Sequence, residues 1–171
     1  QQINQKLINR HPQIFDKNYP DNKSSSINNW ELNKKKEKNR ESILDGIPKS
    51  LPALITAQRY QDKTASVGFE WKNQSQAMMK VDEELDELKK AIKNNDQKNI
   101  VEEIGDLLIT IVNLARFFNI SGELALKKTN QKFYRRFNFI EKIVEKNNEK
   151  IEELKLSELL NYWEKSKNEE K

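Results

Sequence analysis

The chain has 171 residues, of which 35% are hydrophobic and 34% charged, with a net charge of +4, one His and no Cys. That length fits one domain with an appendage, and the missing thiols exclude disulfides and cysteine metal sites and fit a reducing compartment. No apolar run reaches about 18 residues and no signal-peptide pattern occurs, so a soluble, cytoplasmic protein without a membrane partner is expected.

Gln1 opens the chain without Met and the first residues read as helix, which suggests a segment of something longer. Lys6-Leu7-Ile8-Asn9-Arg10 precedes Trp30-Glu31-Leu32-Asn33-Lys34, as Lys132-Phe133-Tyr134-Arg135-Arg136 precedes Trp163-Glu164-Lys165-Ser166-Lys167. Two motifs recurring in one order suggest an internal repeat, with only the tail of its first copy present. Asp21 to Ser50 reads as a connection, marked by Ser24-Ser25-Ser26, the basic run Lys34 to Lys38 and Gly46-Ile47-Pro48, with room for a short helix around Trp30. The domain proper is expected over 47–171.

Pro52 suits the first turn of a helix running to Lys63, and Ala65 to Phe69, containing Gly68, reads as a loop. A second helix is predicted from Gln74 to Lys93 and a third from Lys98 to Phe118. Ser121 offers an N-cap for a fourth running to Asn147, with Leu126, Phe133, Phe137, Ile140 and Val144 on its apolar face and Lys128, Lys132 and Arg136 elsewhere on its surface. Ser157 offers a cap for a short last helix bearing Leu159, Leu160, Tyr162 and Trp163. No segment alternates at period two, so the fold class is all-α, a helix bundle built on an antiparallel helix hairpin.

That hairpin carries the most informative pattern. Glu84 and Glu87 lie on the second helix, Glu103 and Asp106 on the third, and both pairs centre on Asn95 in the turn Asn94-Asn95-Asp96. Antiparallel pairing therefore levels Glu84 with Asp106 and Glu87 with Glu103. The apolar stripe of the second helix is Val81, Leu85, Leu88 and Ile92, from which Glu84 sits roughly 70° and Glu87 about 130° away. The third helix has Ile100, Ile104, Leu107, Leu108, Ile111, Ala115 and Phe118, with Glu103 and Asp106 roughly 85° and 145° away in the same sense. Offsets of equal hand on antiparallel helices put all four carboxylates on one face beside the core.

Four clustered negative charges repel unless a counter-ion joins them. Oxygen ligands alone, with no Cys and only the distant His11, favour Mg²⁺, or Mn²⁺ in its place, over Zn²⁺. The plainer alternative is a solvated acidic face, since i,i+3 carboxylates are common on exposed helices. In the metal reading Glu83, nearly opposite its stripe, is a water or second-metal ligand, and Glu102 is solvated. A metal beside the basic face of the fourth helix suits a polyphosphate such as a nucleotide: the ion bridges phosphate oxygens and Lys132 and Arg136 neutralise the rest. No GxxxxGK[ST] loop is present, which excludes a P-loop enzyme.

Several separated motifs then resemble one family in order: Ile47-Pro48-Lys49-Ser50-Leu51-Pro52-Ala53-Leu54, Ala65-Ser66-Val67-Gly68-Phe69-Glu70-Trp71, Glu83-Glu84-Leu85-Asp86-Glu87, Glu103-Ile104-Gly105-Asp106-Leu107-Leu108, Val112-Asn113-Leu114-Ala115-Arg116 and Lys132-Phe133-Tyr134-Arg135-Arg136-Phe137. Together they resemble the MazG nucleoside triphosphate pyrophosphohydrolases of the all-α NTP pyrophosphatase superfamily, from Ile47 to Lys167. Lys6 to Phe15 resembles the join between the two repeats of bacterial MazG, so 1–46 would be the tail of a preceding MazG-like repeat plus linker. The resemblance implies Mg²⁺-dependent hydrolysis of a nucleoside triphosphate to monophosphate and pyrophosphate. It implies Glu84, Glu87, Glu103 and Asp106 as metal ligands, Glu83 as an accessory acid, Lys132 and Arg136 as phosphate contacts, and Trp163 and Lys167 near the nucleotide. It also implies a homodimer with a four-helix-bundle-type active site. One departure is visible: the compared family member has Lys four positions before the ExxD glutamate, whereas here Asn99 stands there beside Lys98. Competing readings are a narrower dUTP- or dCTP-type pyrophosphatase and a non-catalytic helical interaction module. Nucleic-acid binding is weaker: 25 Lys and 20 Asn indicate compositional bias, and no reading motif accompanies the charge.

Overall fold

A computed structural model describes residues 34–168 together with Asn4 and Ile8, and among the described residues the regular structure is entirely helical. The elements are α1 (Ala53–Ala65), α2 (Gln74–Lys93), α3 (Gln97–Phe117), α4 (Gly122–Lys146), a 3-10 turn (Ile151–Glu153) and α5 (Leu156–Asn168). Apart from Ile8, the Lys6–Arg10 motif lies outside the described residues, as do His11 and the segment around Trp30.

Helix ends follow from local chemistry. Asn73 caps α2 by accepting from the Gln76 N–H at 3.0 Å, and Asp96 caps α3 by accepting from the Asn99 N–H at 3.2 Å. The position of the departure at Asn99 is thus the third residue of α3, its backbone committed to the cap. At the other end α2, α3 and α4 stop alike: Asn95, Asn119 and Asn148 adopt positive φ of 56°, 55° and 57°. Their N–H groups, and those of the residues after them, bond back to carbonyls of the last turn. Asparagine tolerates this left-handed conformation because its short polar side chain bonds locally. With Asn95 closing α2 and Asp96 capping α3, the hairpin turns within residues 94–96.

Two expectations change. Ser157 lies inside α5, which begins at Leu156; the Lys155 N–H instead donates to Glu158 Oε2 at 2.8 Å, the glutamate reaching back as in a capping box. The connection before Ile47 is also more ordered than its breakers suggest. Residues 34–37 are helical, the Ser42 N–H donates to Asp45 Oδ2 at 2.9 Å, and Lys63 Nζ on α1 donates to the Ile43 carbonyl at 2.6 Å. Lysine on α1 thereby draws the preceding segment onto the helix.

The chain divides into two compact units, the first ending at Gly122 and the second beginning at Glu123. In the first, α3 packs against both α2 and α1. Arg116 on α3 holds α1 and the following loop: its guanidinium donates to Asp62 at 2.8 Å, Glu70 at 3.3 Å and Asn113 at 3.0 Å. Gln61 Nε2 on α1 donates to the Ile109 carbonyl at 2.7 Å. In the second unit, Ile140 and Val144 of α4 and Ser166 of α5 are buried. The α4–α5 connection is fastened by Tyr162, whose hydroxyl donates to Glu149 Oε2 at 2.9 Å and accepts from Asn147 Nδ2 at 3.0 Å.

Candidate functional site

The buried residues of α2 are Ala77, Glu84 and Ala91, spaced by seven. The residue midway between the two alanines on that face is a carboxylate. Glu84 is only 6% exposed. Burying an ionised carboxylate is costly unless it is paired. Lys80, one turn earlier, supplies the pair: its Nζ lies 2.8 Å from Glu84 Oε1 and 2.9 Å from Glu83 Oε1. That double contact pushes the Lys80 ammonium above its ordinary range, the bond to Glu83 acting most and that to Glu84 next.

Carboxylate oxygens of Glu84, Glu87 and Glu103 lie within 4.8 Å of one another. Three of the four expected ligands therefore converge from the two arms of the hairpin, Glu84 buried and the other two half-buried. Asp106 is exposed and outside that group. It remains close enough to act on Glu103, whose carboxyl is held above the usual 4.5 by partial burial first, then by the charges of Glu87, Glu84, Asp106 and Glu102. Each of these effects disfavours a further negative charge there. Glu83 is exposed and engaged with Lys80 rather than with the other three acids. Glu102 is exposed, with Lys98 at 3.9 Å.

This donor set suits a hard divalent cation. All three converging groups offer oxygen, one is buried where water cannot neutralise it, and another already resists ionisation through partial burial and the charges of its acidic neighbours. Lys80 is the residue that sequence reasoning missed. Its signal was present, since Lys80 and Glu84 have i,i+4 spacing on a predicted helix.

The expected nucleotide contacts belong to the second unit. Phe133 and Trp163 meet with ring centroids 5.2 Å apart, tilted by 51°, and Phe133 lies parallel to Phe137 at 6.3 Å. The Arg136 guanidinium stands 5.7 Å from the centre of the Trp163 ring. The fold thus brings together Arg136 and Trp163 from the successive helices α4 and α5. Lys132 is exposed on α4, and Lys167 pairs with Glu164 one turn back at 2.6 Å.

Residues 72–154 match the model of the MazG nucleotide pyrophosphohydrolase domain. Over 96% of its length the chain is 42% identical to the nucleoside triphosphate pyrophosphohydrolase/pyrophosphatase MazG of Thermotoga maritima, covering 63% of that protein. It is 39% identical to the nucleoside triphosphate pyrophosphohydrolase of Escherichia coli K12 over 98% of its length, covering 66% of that one. It is 37% identical to the uncharacterized protein YabN of Bacillus subtilis, of which it covers 35%. The chain thus spans slightly under two thirds of the two pyrophosphohydrolases it resembles. The matched stretch contains both acidic pairs and the hairpin that brings Glu84, Glu87 and Glu103 together, and this chain belongs to the MazG family.

Proposed function

We propose that the protein is a nucleoside triphosphate pyrophosphohydrolase, converting an NTP or dNTP and water to a nucleoside monophosphate and pyrophosphate. One observation carries this reading: Glu84, Glu87 and Glu103 converge from two helices with Glu84 buried. Family membership supports the bond cleaved, between the α and β phosphates.

Glu84, Glu87, Glu103 and Asp106 would hold Mg²⁺, with Mn²⁺ able to replace it. Bound there, the cation would neutralise phosphate oxygens and raise the electrophilicity of phosphorus. The remaining work belongs to side chains. A carboxylate oxygen not engaged with the cation orients the attacking water and accepts its proton as the new P–O bond forms and the α–β bridge bond breaks. Glu83, on the solvent side of the cluster, is assigned as accessory acid. Lys132 and Arg136 are assigned to phosphate oxygens, where fixed positive charge offsets the polyphosphate. Trp163 and Lys167 are assigned to the nucleoside end, and the pairing of Arg136 with Trp163 supports a common task.

Residues 47–171 would constitute the catalytic domain, with 1–46 the tail of a preceding MazG-like repeat and its linker. A homodimer is proposed as the working form. That reading is supported by the apolar side chains of α3 that stay open to solvent, Ile104, Leu108 and Ile111, each nearly half exposed. Incubation with NTP and Mg²⁺ should release pyrophosphate and monophosphate in equal amounts. Release of orthophosphate and diphosphate, or no turnover, would refute the assignment.

A further inference from the structure

Lys80 is placed where a metal ligand's counter-charge must be when no metal is bound. Its ammonium touches two neighbouring carboxylates at nearly equal distance, 2.9 Å to Glu83 and 2.8 Å to Glu84. The two acids differ in burial: the Glu83 side chain is 57% exposed and that of Glu84 only 7%. Water can stabilise Glu83 without help, but Glu84 depends on an adjacent positive charge. The other acids near Glu84 make that dependence stronger, because Glu87 and Glu103 add negative charge at the same place.

We infer that Lys80 is the built-in counter-ion of the centre, and that a divalent cation binds by displacing the ammonium from Glu84 onto Glu83. Two positive charges competing for one buried carboxylate repel each other, so the lysine opposes the incoming ion. Glu83 lowers that opposition by offering the ammonium a second partner one residue away, already in contact. Lys80 is therefore a positioning residue: it holds the Glu84 carboxylate in the metal-free protein and sets the cation concentration at which the centre fills. Glu83 serves as the resting partner of the displaced ammonium. The inference rests on the metal reading of the cluster given above.

The two residues should change cation affinity in opposite directions, which a purely structural role would not produce. Calorimetric titration of the full chain with Mn²⁺ and Mg²⁺, without nucleotide, reads this directly. Lys80→Met should bind about fivefold tighter, the scale of one partly buried ion pair, while melting at a lower temperature without metal. Glu83→Gln should bind more weakly, because the ammonium then has Glu84 alone. In the Lys80→Met background the Glu83→Gln effect should shrink to under about half of its size in the wild type, since coupling between contacting residues is what a double-mutant cycle isolates. Unchanged or weaker binding by Lys80→Met, or a Glu83→Gln effect that persists undiminished without the lysine, overturns the inference while leaving the metal centre standing. Absence of any binding by the wild type overturns both. Should Lys80→Met fail to fold by circular dichroism, Glu83→Gln decides alone: weaker binding supports the displacement and unchanged binding refutes it.

Discussion

Glu84 is buried along the same line of α2 as Ala77 and Ala91 and is paired with Lys80. Replacing it with Ala removes a proposed ligand and leaves helix propensity intact, so Glu84→Ala should abolish turnover and metal binding while the far-ultraviolet circular dichroism is preserved. Asp106→Ala should behave likewise, although Asp106 is exposed; full activity in either variant would remove it from the centre. Glu103 gives the pH dependence. Its folded-state carboxyl is raised above the usual 4.5 by partial burial and by Glu87, Glu84, Asp106 and Glu102. The folded chain thus holds this proton more tightly than the unfolded chain. The associated stability is fully present below that usual value and is lost as pH rises through the raised one. Melting temperatures of the metal-free protein should therefore decline from this source on going from acid to neutral pH, and Glu103→Gln should lack that part of the decline. Added Mg²⁺ should raise the wild-type melting temperature at pH 7 and do so far less at pH 4. An equal metal effect at both pH values would contradict the cluster as the binding site.

The hairpin was legible because its signals are local. Asp96 caps α3, Asn95 closes α2 in the left-handed region, and the acidic pairs are placed symmetrically about that turn. The face that α2 buries was not legible from periodicity. A helical wheel centres the apolar stripe on Val81, Leu85, Leu88 and Ile92, yet Leu85 and Ile92 remain exposed while the buried line is Ala77, Glu84 and Ala91. Close approach selects small side chains, and a stripe of large ones does not say which neighbour it serves. Asp106 fell outside the convergent three for a related reason: wheel angles give the face, but not the reach of a short aspartate beside three glutamates. The cap at Ser157 failed because Glu158 bonds back to Lys155 and the helix starts two residues earlier. Two stability tests belong to these elements. Gly105 of α3 has nothing within 4 Å of where a Cβ would stand, so Gly105→Ala should stabilise the unliganded chain by about 0.5–1 kcal/mol. Arg116→Met severs α3 from Asp62 and Glu70. It should cost about 1–2 kcal/mol, less than a fully buried pair, because those acids are 40% and 37% exposed. Chemical denaturation of the two variants checks both signs.

Across the chain, apolar side chains stay open to solvent in both compact units, with Ile104, Leu108 and Ile111 on α3 and Phe133 and Leu160 on α4 and α5. Among the described residues no single helix is long and apolar enough to cross a membrane. Surfaces of this kind are usually covered by another chain. Sedimentation should find a dimer, and a charge at Leu108, as in Leu108→Glu, should shift it toward monomer; a wild-type monomer at micromolar concentration would contradict that assembly. The acidic centre itself is defined within one hairpin, so its chemistry can be tested without knowing the assembly. The most direct test is product analysis after incubating the protein with a nucleoside triphosphate and Mg²⁺ in ¹⁸O-labelled water. Pyrophosphate and nucleoside monophosphate should appear in equal amounts, with the label in one of the two and turnover lost on chelation. Orthophosphate with nucleoside diphosphate, or equal turnover by Glu84→Ala, would contradict the assignment of this centre.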